Sequence, residues 1–285
     1  MSRFTRLALL VAATSLGGAA CQGIGPPEIT EPQLLGGELV SVERLNRGRT
    51  SYHLYCQSCH GAKGDGLGPL GFHQVPRPRD LRLGIIKFAR VASGSLPTDA
   101  DLARVIQRGV PGTAMLAWDV PEAELDPVVQ YIKTFSPRWY REGAGAVIET
   151  SDNPWTDKPT DAISRGRALY HGVAKCTSCH PAYVDAAAVA DYARAAGMST
   201  EPRADINTPL TGKSAYGPVR ATDFAELEGR RLRGGDSRAD LYRVIATGVG
   251  GTAMPTWKGV LPEADLWALA LYVHSLTTTA DSPQM

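Results

Sequence analysis

Two short segments carry the residue types that do chemistry: Cys56-Gln57-Ser58-Cys59-His60 and Cys176-Thr177-Ser178-Cys179-His180. In each, two thiols stand three residues apart and an imidazole follows the second at once. Such spacing serves half of a four-cysteine zinc site, a redox-active dithiol, or the covalent attachment of a haem. Attachment needs two thiols and one iron ligand at the same porphyrin edge. Sulfurs three residues apart lie about one helical turn from each other, so both face one side while the next residue turns its imidazole to the iron. The pairs are separated by 120 residues, and the one other cysteine is Cys21. That separation disfavours a shared zinc site.

A second ligand for each iron is found further on. Met115 and Met254 each end the quartet Gly-Thr-Ala-Met, with Trp118 and Trp257 shortly after. A thioether is a soft ligand, and a Met/His pair raises the reduction potential and closes the iron to substrate. The competing reading is that these methionines fill a core, with Met198 as a distant rival for the second iron. His53, His73, His171 and His274 are expected to pack or face solvent.

The elements that must position these residues come as a repeat. The segment from Arg47, "RGRTSYHLYCQSCHG", matches "RGRALYHGVAKCTSCHP" from Arg165, with two extra residues in the second. "LARVIQRGVPGTAMLAW" from Leu102 matches "LYRVIATGVGGTAMPTW" from Leu241, and "ELDPVVQYIKTF" matches "ADLWALALYVHSL". Three blocks in one order mean a duplicated domain. Thr98 with Asp101, and Ser237 with Asp240, have the form of capping boxes ahead of amphipathic runs that stop at Gly109 and Gly248. Pro262 fits the first turn of a last helix; in the first repeat Pro127 breaks the equivalent run, which then kinks or starts late with Asp126 as cap.

Both halves resemble class I c-type cytochromes. The resemblance rests on the attachment motif near the start of each half and the methionine late in it. It implies an all-α fold of two tandem helical domains, each built around one covalently attached haem c, with first and last helices crossing. It further implies Cys56, Cys59, Cys176 and Cys179 as attachment residues, and His60 with Met115 and His180 with Met254 as iron ligands. Tyr131 and Tyr272 stand where the family's last helix is aromatic. The family's proline carbonyl behind the proximal imidazole is assigned to Pro69 for His60, and to Pro209 or Pro218 for His180. Leu116 stands where Pro255 follows the second methionine. His180 to Asp223 spans 43 positions against 20 from His60 to Asp80, so the second half carries an insertion, expected at about 182–206 with an alanine-rich helix ending near Gly197.

The expected organisation is a signal peptide over 1–20, a flexible leash over 21–37, domain 1 over 38–137, a linker over 138–159 and domain 2 over 160–279. Arg3 and Arg6 precede the apolar run "LALLVAATSLGGAA", the pattern of an export signal. With Cys21 following, it resembles a bacterial lipoprotein signal, though Gly18 stands where such signals carry Leu. That implies a lipid on Cys21, a periplasmic or outer-face location, and contact with the membrane surface. Basic and acidic residues number 30 and 29, so no charge excess points to nucleic acid. The basic runs "RPRDLRLGIIKFAR" and "RRLR" are read as partners of haem propionates, solvated faces or docking patches. The expected function is electron transfer to redox partner proteins such as respiratory complexes. A dihaem peroxidase with a displaceable Met254 is the alternative.

Overall fold

A computed structural model describes residues 27–199, 201–227 and 231–279. The signal-like segment and Cys21 lie outside the described residues. Helices dominate. In chain order they are α1 (Val42–Tyr55), α2 (Gln57–His60), α3 (Asp99–Arg108), α4 (Glu122–Lys133), α5 (Pro159–His171), α6 (Ala186–Ala195), α7 (Arg238–Thr247) and α8 (Glu263–Thr279). Two antiparallel ribbons accompany them, β1 (Gln33–Leu35) with β2 (Glu38–Val40), and β3 (Thr211–Ser214) with β4 (Gly217–Arg220).

In each domain the first and last helices cross, α1 on α4 and α5 on α8. The crossing point is a glycine. A Cβ on Gly48 would lie 1.9 Å from the Pro127 carbonyl oxygen, and one on Gly166 2.0 Å from that of Ala268, so only a residue without a side chain lets the backbones approach so closely. Beside each glycine an ion pair closes the same gap: Arg47 with Glu124 and Arg165 with Asp265, both at 2.8 Å. Tyr131 and Tyr272, the aromatic positions of the last helices, flank the two glycines on the facing helix.

Pro127 does not delay α4, which begins at Glu122 after Pro121. A proline six residues into a helix removes one backbone hydrogen bond, and here its carbonyl forms the seat for Gly48. Asp126 is therefore not a cap; it accepts two hydrogen bonds from Arg44, at 2.6 and 2.5 Å. Pro262 sits one residue ahead of α8, its carbonyl accepting from Asp265 and Leu266. The box at Thr98 and Asp101 forms in full, and Ser237 caps α7 by accepting from the Asp240 amide.

Residues 27–37 of the expected leash, and the expected linker, are largely folded. Leu35 and Val40 of the first ribbon are fully buried, the Gly36 amide donates to the Trp139 carbonyl at 2.6 Å, and Ile29 exchanges hydrogen bonds with the Asn46 side chain. In the linker Trp139 is buried in the first core. Ile148 donates to the Arg90 carbonyl and packs on the second core. Trp155 donates to Ala264, and Ser151 accepts from Trp267. Glycine and proline content reads as slack chain, but burial of these aromatic and aliphatic side chains prevails.

The insertion contains the expected helix, α6, capped by Asp185 and followed by Gly197 at φ 72°. It extends past residue 206 into the β3–β4 ribbon, which the helical pattern did not foretell.

Candidate haem-binding sites

Both attachment motifs form one tight turn closed by the same bond, from the histidine amide to the carbonyl of the first cysteine: His60 to Cys56 at 2.9 Å and His180 to Cys176 at 2.8 Å. The two repeats reach this turn differently. Helix α1 runs up to Cys56, whereas α5 stops at His171 and the two extra residues make a turn in which Lys175 adopts φ 47°. Among the described residues no two cysteines form a disulfide. Burial pushes the Cys56 and Cys176 thiols up to about 12. A redox dithiol works through a lowered thiol pKa, so this environment opposes the dithiol reading.

His60 and His180 are buried enough that desolvation holds their pKa below the usual imidazole value, which favours the neutral ring. Each Nδ1 faces a backbone carbonyl, Arg79 at 3.1 Å and Thr222 at 2.8 Å. A carbonyl only accepts, so Nδ1 carries the proton and Nε2 keeps its lone pair for a metal. His180 also stacks on Phe224, with centroids 5.0 Å apart.

These carbonyls correct the expectation of Pro69 and of Pro209 or Pro218. The loop through Gly68 instead folds under the motif, with the Gly68 amide bonded to Cys59 and Leu70 to Ser58. Leu210 likewise donates to Cys179. The chain therefore passes the histidine edge only later, at the residue before Asp80 and before Asp223.

Met115 and Met254 sit in loops of one design. Thr113 Oγ1 donates to the Val110 carbonyl at 2.8 Å and accepts from the Met115 amide at 3.1 Å. Thr252 Oγ1 does the same with Val249 at 2.7 Å and Met254 at 3.2 Å. The loop closes when Val110 donates to the Met115 carbonyl, and Val249 to that of Met254. Gly109 and Gly248, at φ 65° and 74°, permit this: a Cβ on either would meet the methionine carbonyl at 2.5 or 2.7 Å. Both methionines are half-buried. Met254, Cys176 and Trp257 pack against the second core, and Cys56 against the first. Trp118 is exposed and meets Tyr55 edge-on.

Two supports escaped sequence reasoning. Tyr52 and Tyr170, both fully buried, donate to the carbonyl just after the histidine, Gly61 and Pro181, each at 2.8 Å. Their matched place in the repeat was a usable signal. Arg203 in the insertion donates to the Thr177 carbonyl inside the second motif. Of the other histidines, His53 and His73 are exposed, while His171 is buried with both ring nitrogens on carbonyls and stacks on Tyr192 of α6.

Two thiols on one turn followed by a neutral imidazole with a free Nε2 is a donor set that fits one covalently bound haem in each domain. Bound there, haem supplies a one-electron couple at its iron.

The chain resembles known proteins over both domains. The family described as cytochrome C oxidase, cbb3-type, subunit III matches residues 43–132 and 161–273. The Azospirillum sp. (strain B510) cbb3-type cytochrome c oxidase subunit CcoP is 25% identical over 237 residues, which cover 80% of this chain and 61% of that protein. The match thus spans less than two thirds of that relative's length. A chain of the Kuenenia stuttgartiensis reducing HAO-like protein complex Kustc0457/Kustc0458 is 30% identical with a TM-score of 0.65, covering 81% of this chain and 95% of its own. With its two motif-bearing domains, the chain belongs to the cytochrome c oxidase, cbb3-type, subunit III family, as a dihaem c-type cytochrome.

Proposed function

We propose that Cys56 and Cys59 hold the first haem and Cys176 and Cys179 the second, with His60 and Met115 ligating one iron and His180 and Met254 the other. The observation that carries this is the twofold recurrence of one design: an imidazole oriented through Nδ1 by a carbonyl, and a methionine loop folded around a threonine hydroxyl. An imidazole and a thioether together on the iron would favour its reduced state and leave no coordination position for substrate. Both features suit an electron carrier.

In this reading the chain is exported and tethered through a lipid on Cys21. It relays electrons at the periplasmic face as a partner or subunit of a respiratory complex, which the CcoP likeness supports. No helix among the described residues is long and apolar enough to cross a membrane, and a lipid would serve as the tether.

The test is a spectroelectrochemical titration of the haem-loaded protein beside M115A and M254A. Two low-spin, Met-ligated haems at positive potential, each variant losing one, support the assignment. A high-spin or strongly negative haem in the wild type would refute it, and peroxide turnover by that haem would favour the peroxidase alternative.

A further inference from the structure

The two domains meet along residues 85–95 of the first and the methionine loop of the second. Gly250 donates to the Lys87 carbonyl at 3.0 Å. The Ser93 amide points to both the Thr247 carbonyl and Thr256 Oγ1, each at 2.9 Å. Gly250 sits so close that a Cβ there would lie 2.2 Å from the Ile86 carbonyl oxygen.

Into this seam the insertion pushes Tyr216, at the turn of the β3–β4 ribbon. On one side the Arg79 guanidinium lies 3.3 Å from the Tyr216 ring centroid, with Lys87 Nζ at 5.7 Å. The Tyr216 hydroxyl donates to the Ile85 carbonyl at 3.3 Å. The ring's hydroxyl-bearing edge also touches Gly251, where a Cβ would stand 2.6 Å away, and the neighbouring Ala215 amide donates to the Gly251 carbonyl at 2.9 Å. Arg79 is the residue whose carbonyl orients His60, and Gly251 opens the quartet that ends in Met254. One side chain of domain 2 therefore bears on the proximal support of the first site and on the ligand loop of its own.

We propose that Tyr216 is a positioning residue that ties the proximal side of the first haem site to the methionine loop of the second, so that the two reduction equilibria are coupled. The proposal rests on the reading of His60 and Met254 as ligands. The physical route is contiguous: imidazole, Arg79 backbone, Arg79 guanidinium on the ring, ring edge on Gly251. The aromatic face attracts the cation by its quadrupole, and two packed contacts on one rigid ring transmit displacement in both directions. The first repeat has no counterpart to this ribbon, so the device belongs to the insertion.

The experiment uses the haem-loaded protein, with Y216A, Y216F, R79M and the R79M/Y216A double variant. In the wild type the Met-ligation band is recorded first; its absence would overturn the ligand reading and this proposal with it. With the band present, Y216A is expected to change the reduction equilibrium constant of the first haem, in the other domain, by about threefold or more. At 59 mV per tenfold for one electron that is about 28 mV. Y216F keeps the ring and stays near wild type, and the R79M and Y216A effects on the first haem are non-additive. Amide exchange at Ser93 and Gly250, which needs no redox event, accelerates in Y216A and not in Y216F. A first-haem equilibrium unmoved by Y216A, or fully additive effects, would overturn the proposal even with ligation intact.

Discussion

Replacing Gly48 by alanine sets two effects of opposite sign against each other. In an isolated helix the change is favourable by about 1 kcal/mol, because alanine loses less backbone entropy. At the crossing with α4 the new Cβ would stand 1.9 Å from the Pro127 carbonyl oxygen and 2.9 Å from Tyr131 Cβ. Restoring ordinary contact requires the helices to part by about 1.5 Å, and a gap of that order forfeits a large share of dispersion along the whole crossing. Neither colliding group can swing aside, since one is backbone and the other a Cβ. Overpacking of this kind costs about 3 kcal/mol, the upper part of the usual range. The net is a loss of about 2 kcal/mol, or a fall of roughly 8–16 °C in the melting temperature of a domain of this size. Thermal unfolding of the haem-loaded protein by circular dichroism reads this directly, with G166A as the matched change in the other domain. A G48A protein as stable as wild type would show that propensity outweighs the close approach, and the account of the crossing would fail.

Two further predictions concern the methionine loops and an ion pair. T113V and T252V keep side-chain shape but remove two hydrogen bonds each. At about 1 kcal/mol per bond, binding of added imidazole to the affected haem strengthens about tenfold or more in ligand titrations; unchanged affinity would show that the hydroxyl does not hold the methionine. Asp126 has its carboxyl held below the usual range chiefly by its hydrogen bonds from Arg44. The stability this pair supplies is present above the ordinary carboxylate pKa and is lost as pH falls through the lowered folded value. Solvent screening limits it to about 0.5 kcal/mol. D126N should therefore lie below wild type in melting temperature near pH 6 and converge with it near pH 2, whereas parallel curves would exclude the linkage.

Much of the site was legible because its parts are side chains at fixed spacing in a repeated register. Two cysteines and a histidine make a turn locally, and a glycine after an amphipathic run followed by Gly-Thr-Ala-Met makes a loop. The carbonyls behind His60 and His180 were misplaced because an acceptor on the backbone has no side-chain signature. Arg79 and Thr222 are chosen by the path of the chain, not by their type. Proline and glycine in the expected leash (21–37) and linker (138–159) read as slack, yet Leu35, Trp139 and Trp155 find partners distant in sequence. The ribbon bearing Tyr216 has no helical period; its strands pair with each other and its turn reaches the seam.

The segment joining the halves acts as a splint. Because Val147 bridges Val91 in domain 1 while Ile148 and Trp155 press on the core of domain 2, the second half has little freedom to pivot about the first. A protein that docks beside one site consequently also dictates where the other faces, and the pair is presented to any donor and acceptor as a single two-terminal block.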